Sequence, residues 1–120
     1  MVTASCPALL VLDDDEFRRT LIKTLDEQHF TVSFTPDGDD AIKLIEGRRF
    51  RIIIVGLNVK SGKGVQALEH LRENKGDRAV IIIGDASPET RTFAPWADET
   101  LLRPVDANWI VKRARSYCGH

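Results

Sequence analysis

The stretch Arg51-Ile52-Ile53-Ile54-Val55-Gly56-Leu57-Asn58 decides the fold class. It reads as a strand running into a loop. Its apolar run carries no polar alternation, so the strand is expected to be buried on both faces. Such strands belong to parallel sheets covered by helices on either side. Continuous apolar runs also occur at 8–12, 80–83 and 100–102, with a weaker alternating one at 30–34.

Helical patterns lie between these runs. Phe17, Leu21, Ile22 and Leu25 recur at helical spacing. So do Ala41, Leu44 and Ile45, then Val65, Leu68 and Leu71, then Ile110, Ala114 and Tyr117. Asp37, Ser87-Pro88-Glu89 and Asp106 are helix-start signals. Gly38, Gly47, Gly64 and Gly76 fall near helix ends. Pro95 lacks an amide donor and stops the fourth helix early, limiting it to about 87–94. Five βα units in sequence, with right-handed crossovers, give a flavodoxin-like (βα)5 doubly wound sheet of order 2-1-3-4-5. Residues 1–120 are expected to form one domain, with its core at about 8–117.

Composition bounds the function. A chain of 120 residues can bury about two thirds of its unfolded surface as one domain. Seventeen Lys and Arg against eighteen Asp and Glu give a net charge of -1, which favours neither nucleic acid nor an anionic membrane. There is no apolar run of about 18 residues for a membrane span. The start, Met1-Val2-Thr3-Ala4-Ser5-Cys6-Pro7, lacks the basic region of a signal peptide, so a cytoplasmic location is expected. Cys6 and Cys118 fit neither a zinc site nor a CxxC pair, and the expectation is two reduced thiols. His29, His70 and His120 are scattered and read as surface or terminal residues.

Ligands in open α/β sheets bind beyond the carboxyl ends of the strands, where strand order reverses. Asp13, Asp14, Gly56 and Asn58 are therefore expected to share one acidic pocket between strands one and three. Gly84, Asp85, Arg103 and Pro104 are expected at its rim.

Asp13-Asp14-Asp15 after strand one and Arg103-Pro104 after strand five give the chain a family likeness. From about Leu9 to Tyr117 it resembles the receiver domain of bacterial two-component response regulators. That family accepts a phosphoryl group on an Asp at the end of strand three, with Mg²⁺ held by this Asp and an acidic pair. Asp13 and Asp14 match the acidic pair, and Asn58 matches the position two beyond the acceptor. The acceptor position itself is Gly56, which has no side chain to phosphorylate. The family's Ser or Thr after strand four is Gly84, its Lys is Arg103, and its aromatic switch residue is Thr100. Pro104 matches the family's proline.

The resemblance thus implies a pseudo-receiver, a module that keeps the scaffold without the relay and binds a protein partner. It is expected to be no enzyme, and to bind Mg²⁺ through Asp13 and Asp14 weakly or not at all. A histidine kinase or an output domain would be the partner, with no nucleic acid or membrane engaged through this domain. Phe93, Trp96 and Trp109 would supply aromatic area around the fourth and fifth helices.

Two other readings stand beside it. A substitute carboxylate, Asp85 or Asp14, could accept the phosphoryl group. A small ligand or nucleotide could bind instead, since 56–64 follows a strand and contains Gly-Lys-Gly at 62–64. That segment departs from a P-loop in spacing, and Gly64 stands where a Mg²⁺-binding hydroxyl is needed. No Ser lies in a strand–turn–helix elbow with a His base, so a catalytic triad is not supported.

Overall fold

The computed structural model describes residues 5–58 and 64–118. Its elements are β1 (Cys6–Val11), α1 (Asp15–Glu27), β2 (Phe30–Thr35), α2 (Gly38–Gly47) and β3 (Ile52–Gly56), followed by α3 (Val65–Asn74), β4 (Ala79–Gly84), α4 (Pro88–Phe93), β5 (Glu99–Leu102) and α5 (Ala107–Arg115). All strand pairs are parallel, in the order β2-β1-β3-β4-β5. This is the flavodoxin-like (βα)5 sheet with a short fourth helix. The candidate P-loop segment lies largely outside the described residues.

Ile52, Ile53, Ile54 and Val55 are all β-branched and fully buried, which suits the centre of a covered sheet. The pleat sends alternate side chains to opposite faces. Leu10, Ile54, Ile81 and Leu101 pack under α1 and α5 with Leu21, Leu25, Ile110 and Ala114. Leu9, Ile53, Val80 and Ile82 pack under α2 and α3 with Ala41, Ile45, Leu68 and Leu71.

Local signals set where each helix begins. Asp14 accepts from Phe17 N at 3.1 Å, Asp37 from Asp39 N at 2.8 Å, Ser87 from Thr90 N at 3.3 Å, and Asp106 from Trp109 N at 2.7 Å. Each such cap stabilises its helix by about 1 kcal/mol. α3 starts differently. Gly64 holds a left-handed φ of 92°, and a β-carbon there would lie 2.5 Å from the Gly56 carbonyl oxygen. Glycine at 64 thus lets the start of α3 approach the end of β3.

The cysteines correct the sequence expectation. Cys6 and Cys118 are not free thiols but form a disulfide, with α-carbons 5.8 Å apart across a separation of 112 residues. Cys6 opens β1, and Cys118 lies in the turn that follows α5. Both are buried in the core layer beneath α1 and α5, so the fold brings together two thiols from the far ends of the chain.

Candidate functional site

The strand register sets the site. Val11 pairs with Val55, Gly56 with Ile83, and Gly84 with Leu102, so the carboxyl ends of β1, β3, β4 and β5 sit side by side. Asp13, Asp14, Leu57, Asn58, Asp85 and Arg103 follow these ends within two residues or so. Gly56 and Gly84 close β3 and β4, and the other residues that the sequence assigned to the pocket follow on the loops at this end of the sheet.

Gly56 ends β3 with no side chain, and its space is taken. A β-carbon on Gly56 would run into Leu12 Cδ1 and would lie 3.5 Å from Arg103 Nη2. Leu12 is almost fully buried. Arg103 reaches across from β5, and its Nη1 donates to the Leu57 carbonyl at 2.9 Å. The same nitrogen lies 3.7 Å from Asp85 Oδ1, so the Arg103 cation pairs with Asp85 at the rim. The Arg103–Pro104 peptide is cis.

The acidic pair is used differently. Asp14 is exposed and its carboxylate caps α1. Asp13 is half-buried at the end of β1. Arg18 holds the loop between them and the helix, donating to the Leu12 carbonyl at 2.8 Å and to Asp15 at 2.6 Å. Beside the pocket, Leu12, Phe17, Ile83, Pro104 and Val105 line a mainly apolar cavity of about 450 Å³, with Asp14 and Arg103 also in its walls.

These residues do not fit the family's Mg²⁺. Mg²⁺ needs near-octahedral oxygen ligation. Gly56 offers no side-chain oxygen, the Asp14 carboxylate is committed to a helix cap, and a guanidinium stands beside the acceptor position. Among the described residues, no group of three or more His, Cys, Asp or Glu could hold a metal ion.

At the β4 end, Gly84 is likewise filled from elsewhere. A β-carbon on Gly84 would lie 2.6 Å from Thr90 Oγ1. Thr90 is buried on α4, and its hydroxyl is within 3.1 Å of Ser87 Oγ. Sequence reasoning did not single out Thr90. Its signal was the i, i+3 pairing with Phe93, which gives α4 one buried stripe.

The proposed aromatic patch needs correction. Phe93 is core, only 5% exposed, and its ring meets Trp96 edge-on with centroids 6.3 Å apart. Trp96 is half-buried against the same core layer, and its indole Nε1 has no hydrogen-bond partner among the described residues. Trp109 does face outward at 45% exposure, with Lys112 Nζ 5.6 Å from its ring centroid. Leu102, which the sequence reading passed over, is 50% exposed on β5. Thr100 is half-buried. With Ala86, Thr90, Arg91, Ala94 and Leu102 it lines a groove of about 500 Å³ between α4 and β5.

At the opposite end of β5, Glu99 takes two hydrogen bonds from Arg113 and one from Tyr117. The Arg113 hydrogen bonds hold the Glu99 carboxyl below its ordinary range, with Tyr117 adding to them and burial opposing. Tyr117 is pushed up, first by its hydrogen bond to Glu99 and then by burial.

Known proteins share this fold. Residues 8–115 match the family described as the response regulator receiver domain. The transcriptional regulatory protein SrrA of Staphylococcus aureus is 24% identical over 110 residues, covering 90% of this chain and 46% of SrrA. The chain thus spans about half the length of the curated relatives it matches. A CheY-like response regulator receiver domain protein from Methanospirillum hungatei superposes with a TM-score of 0.83 at 18% identity, over 93% of this chain and 92% of that one. The response regulator TrrA of Thermotoga maritima, solved in complex with Mg²⁺-BeF, superposes at 0.77 with 19% identity, over 93% of this chain and 98% of that one. With residues 8–115, nearly its whole length, matched by that family, the chain belongs to the response regulator receiver domain family.

Proposed function

We propose that this chain is a pseudo-receiver, a two-component signalling domain that acts without phosphorylation by presenting a fixed surface to a protein partner. The observation that carries this reading is at Gly56. The acceptor position has no carboxylate, Leu12 occupies the space that a β-carbon would need, and Arg103 Nη2 lies beside it. The Arg103 guanidinium supplies a permanent positive charge where the family places a metal and a phosphoryl group.

A receiver domain is not an enzyme in the ordinary sense, and protein–protein contact is its usual mode of action. A ligand shifts a conformational equilibrium only if it grips the two states differently. Gly84 and Thr100 lack the hydroxyl and the ring through which the family couples the acceptor to its output face. The surface offered is then constitutive. Leu102 and Trp109 give it exposed apolar area, and the groove beside Thr100 gives it a concave wall. The partner is a histidine kinase or an output domain, met in the cytoplasm.

Incubation with Mg²⁺ and acetyl phosphate tests the reading. The expected result is no gain of a phosphoryl mass. A stoichiometric adduct on an Asp, such as Asp85 or Asp14, would overturn it and establish a substitute acceptor. Beryllofluoride with Mg²⁺ should likewise leave the backbone amide shifts of residues 84–117 unchanged.

A further inference from the structure

The disulfide is independent of the pocket and joins the two ends of the described fold. Cys6 is the first residue of β1, hydrogen-bonded through its amide to the His29 carbonyl at 3.2 Å. Cys118 ends a short turn after α5, held by Ser116 N to Arg113 O, Tyr117 N to Ala114 O and Cys118 N to Arg115 O at 3.0 to 3.2 Å. These are tight i, i+3 bonds, the kind that frays first at a helix end. Arg51 Nε reaches the Tyr117 carbonyl at 3.3 Å, and Tyr117 Oη reaches Glu99 on β5. The turn therefore links β1, β5 and the loop before β3, and the disulfide makes its link to β1 covalent.

We propose that Cys6 and Cys118 are a reversible redox site, and that their oxidation locks the turn after α5 onto β1 and so fixes the Tyr117–Glu99–Arg113 network. Both sulfurs are buried, so exchange proceeds through opening of the turn, which exposes Cys118. The oxidant is a low-molecular-weight disulfide such as oxidised glutathione. The Cys118 thiolate attacks one glutathione sulfur, breaks its S–S bond and expels one glutathione thiolate. The Cys6 thiolate then attacks the Cys118 sulfur of the mixed disulfide and expels the second. The two protons lost from the protein thiols pass to the two leaving thiolates. Two thiols are oxidised and one glutathione disulfide is reduced to two thiols. In a reducing compartment a pair of this kind is reduced at rest and responds to oxidant, which gives it a regulatory rather than a purely static role.

The full chain is equilibrated in glutathione buffers of graded ratio, alkylated and weighed. One reversible two-thiol transition to a monomeric, intramolecularly linked species is expected. Reduction should lower the melting temperature by about 10 °C, because the bond closes a long loop in the unfolded chain. Amide shifts should differ between the two states at Glu99, Arg113 and Tyr117, with Gly56 and Gly84 unmoved. Cys6→Ser and Cys118→Ser should each abolish the transition and resemble the reduced protein. The proposal is overturned by two free thiols persisting in excess oxidised glutathione, or by mixed disulfides or covalent dimers as the only products. Identical spectra around Glu99 and Tyr117 in the two states would also overturn it. The wild-type titration decides the matter even if either serine variant fails to fold.

Discussion

Tyr117 Oη donates to Glu99 Oε1 at 2.6 Å, and Arg113 Nη2 donates to the same oxygen at 2.9 Å. One carboxylate on β5 thereby holds two residues from the far end of the chain. The contacts are charge-assisted, which makes them stronger than neutral ones.

This network sets a pH window. Glu99 is depressed in the folded state, so its contribution is present above its unfolded pKa of about 4.3 and is lost as pH falls through the lower folded value. Tyr117 is raised, so its contribution is present below its unfolded pKa of about 10 and is lost as pH rises through the higher folded value. Tyr117→Phe is expected to cost about 1 kcal/mol near neutral pH. Melts of wild type and variant across the pH range should converge at both extremes. A constant offset would assign the loss to packing instead.

Arg103→Ala is expected to destabilise the fold by about 1–3 kcal/mol, because it leaves the buried Leu57 carbonyl without its donor. Asp85→Ala should change stability by less than about 1 kcal/mol, since that pair is long and open to solvent. Denaturant titrations of both variants check the ordering. Equal effects would mean that the ion pair, and not the carbonyl bond, is what Arg103 provides.

Gly56→Ala should cost about 1–3 kcal/mol, since Leu12 must leave a buried rotamer to admit one carbon. Gly84→Ala should be destabilising through Thr90, and Thr90→Ala should relieve part of that loss. The double variant is then more stable than the sum of the single effects, by about 0.5–3 kcal/mol in a double-mutant cycle. Strict additivity would place Thr90 elsewhere.

Phe93→Ala should cost about 3–5 kcal/mol as a core truncation. Trp109→Ala should change stability by less than about 1 kcal/mol while weakening any partner contact made through α5. Melting curves separate the two, and a large loss for Trp109→Ala would remove it from the binding surface.

Much of the architecture was legible in local sequence. Unbroken runs such as 52–55 announced covered strands, and Asp37, Ser87 and Asp106 announced helix starts that the hydrogen bonds bear out. Pro88 and Pro95 bounded α4. What local sequence could not show was which distant atoms fill a gap. Leu12 reads as one more strand residue, yet its Cδ1 takes the space beside Gly56. Phe93 and Trp109 read alike as aromatics near helices, and only the stripe that Phe93 shares with Thr90 separates core from surface. Cys6 and Cys118 gave no spacing signal, because the fold and not the chain brings them together.

The filling of the spaces at Gly56 and Gly84 bears on what each position can tolerate. A β-carbon at 56 would land on Leu12, and one at 84 would land on Thr90. Each single substitution there meets an occupied site and costs stability. A larger residue at either position therefore requires a matching change at its neighbour in space, Leu12 in one case and Thr90 in the other. Each of the two positions is thus kept as glycine by the side chain packed against it, so two gaps in the strand ends act as parts of the core.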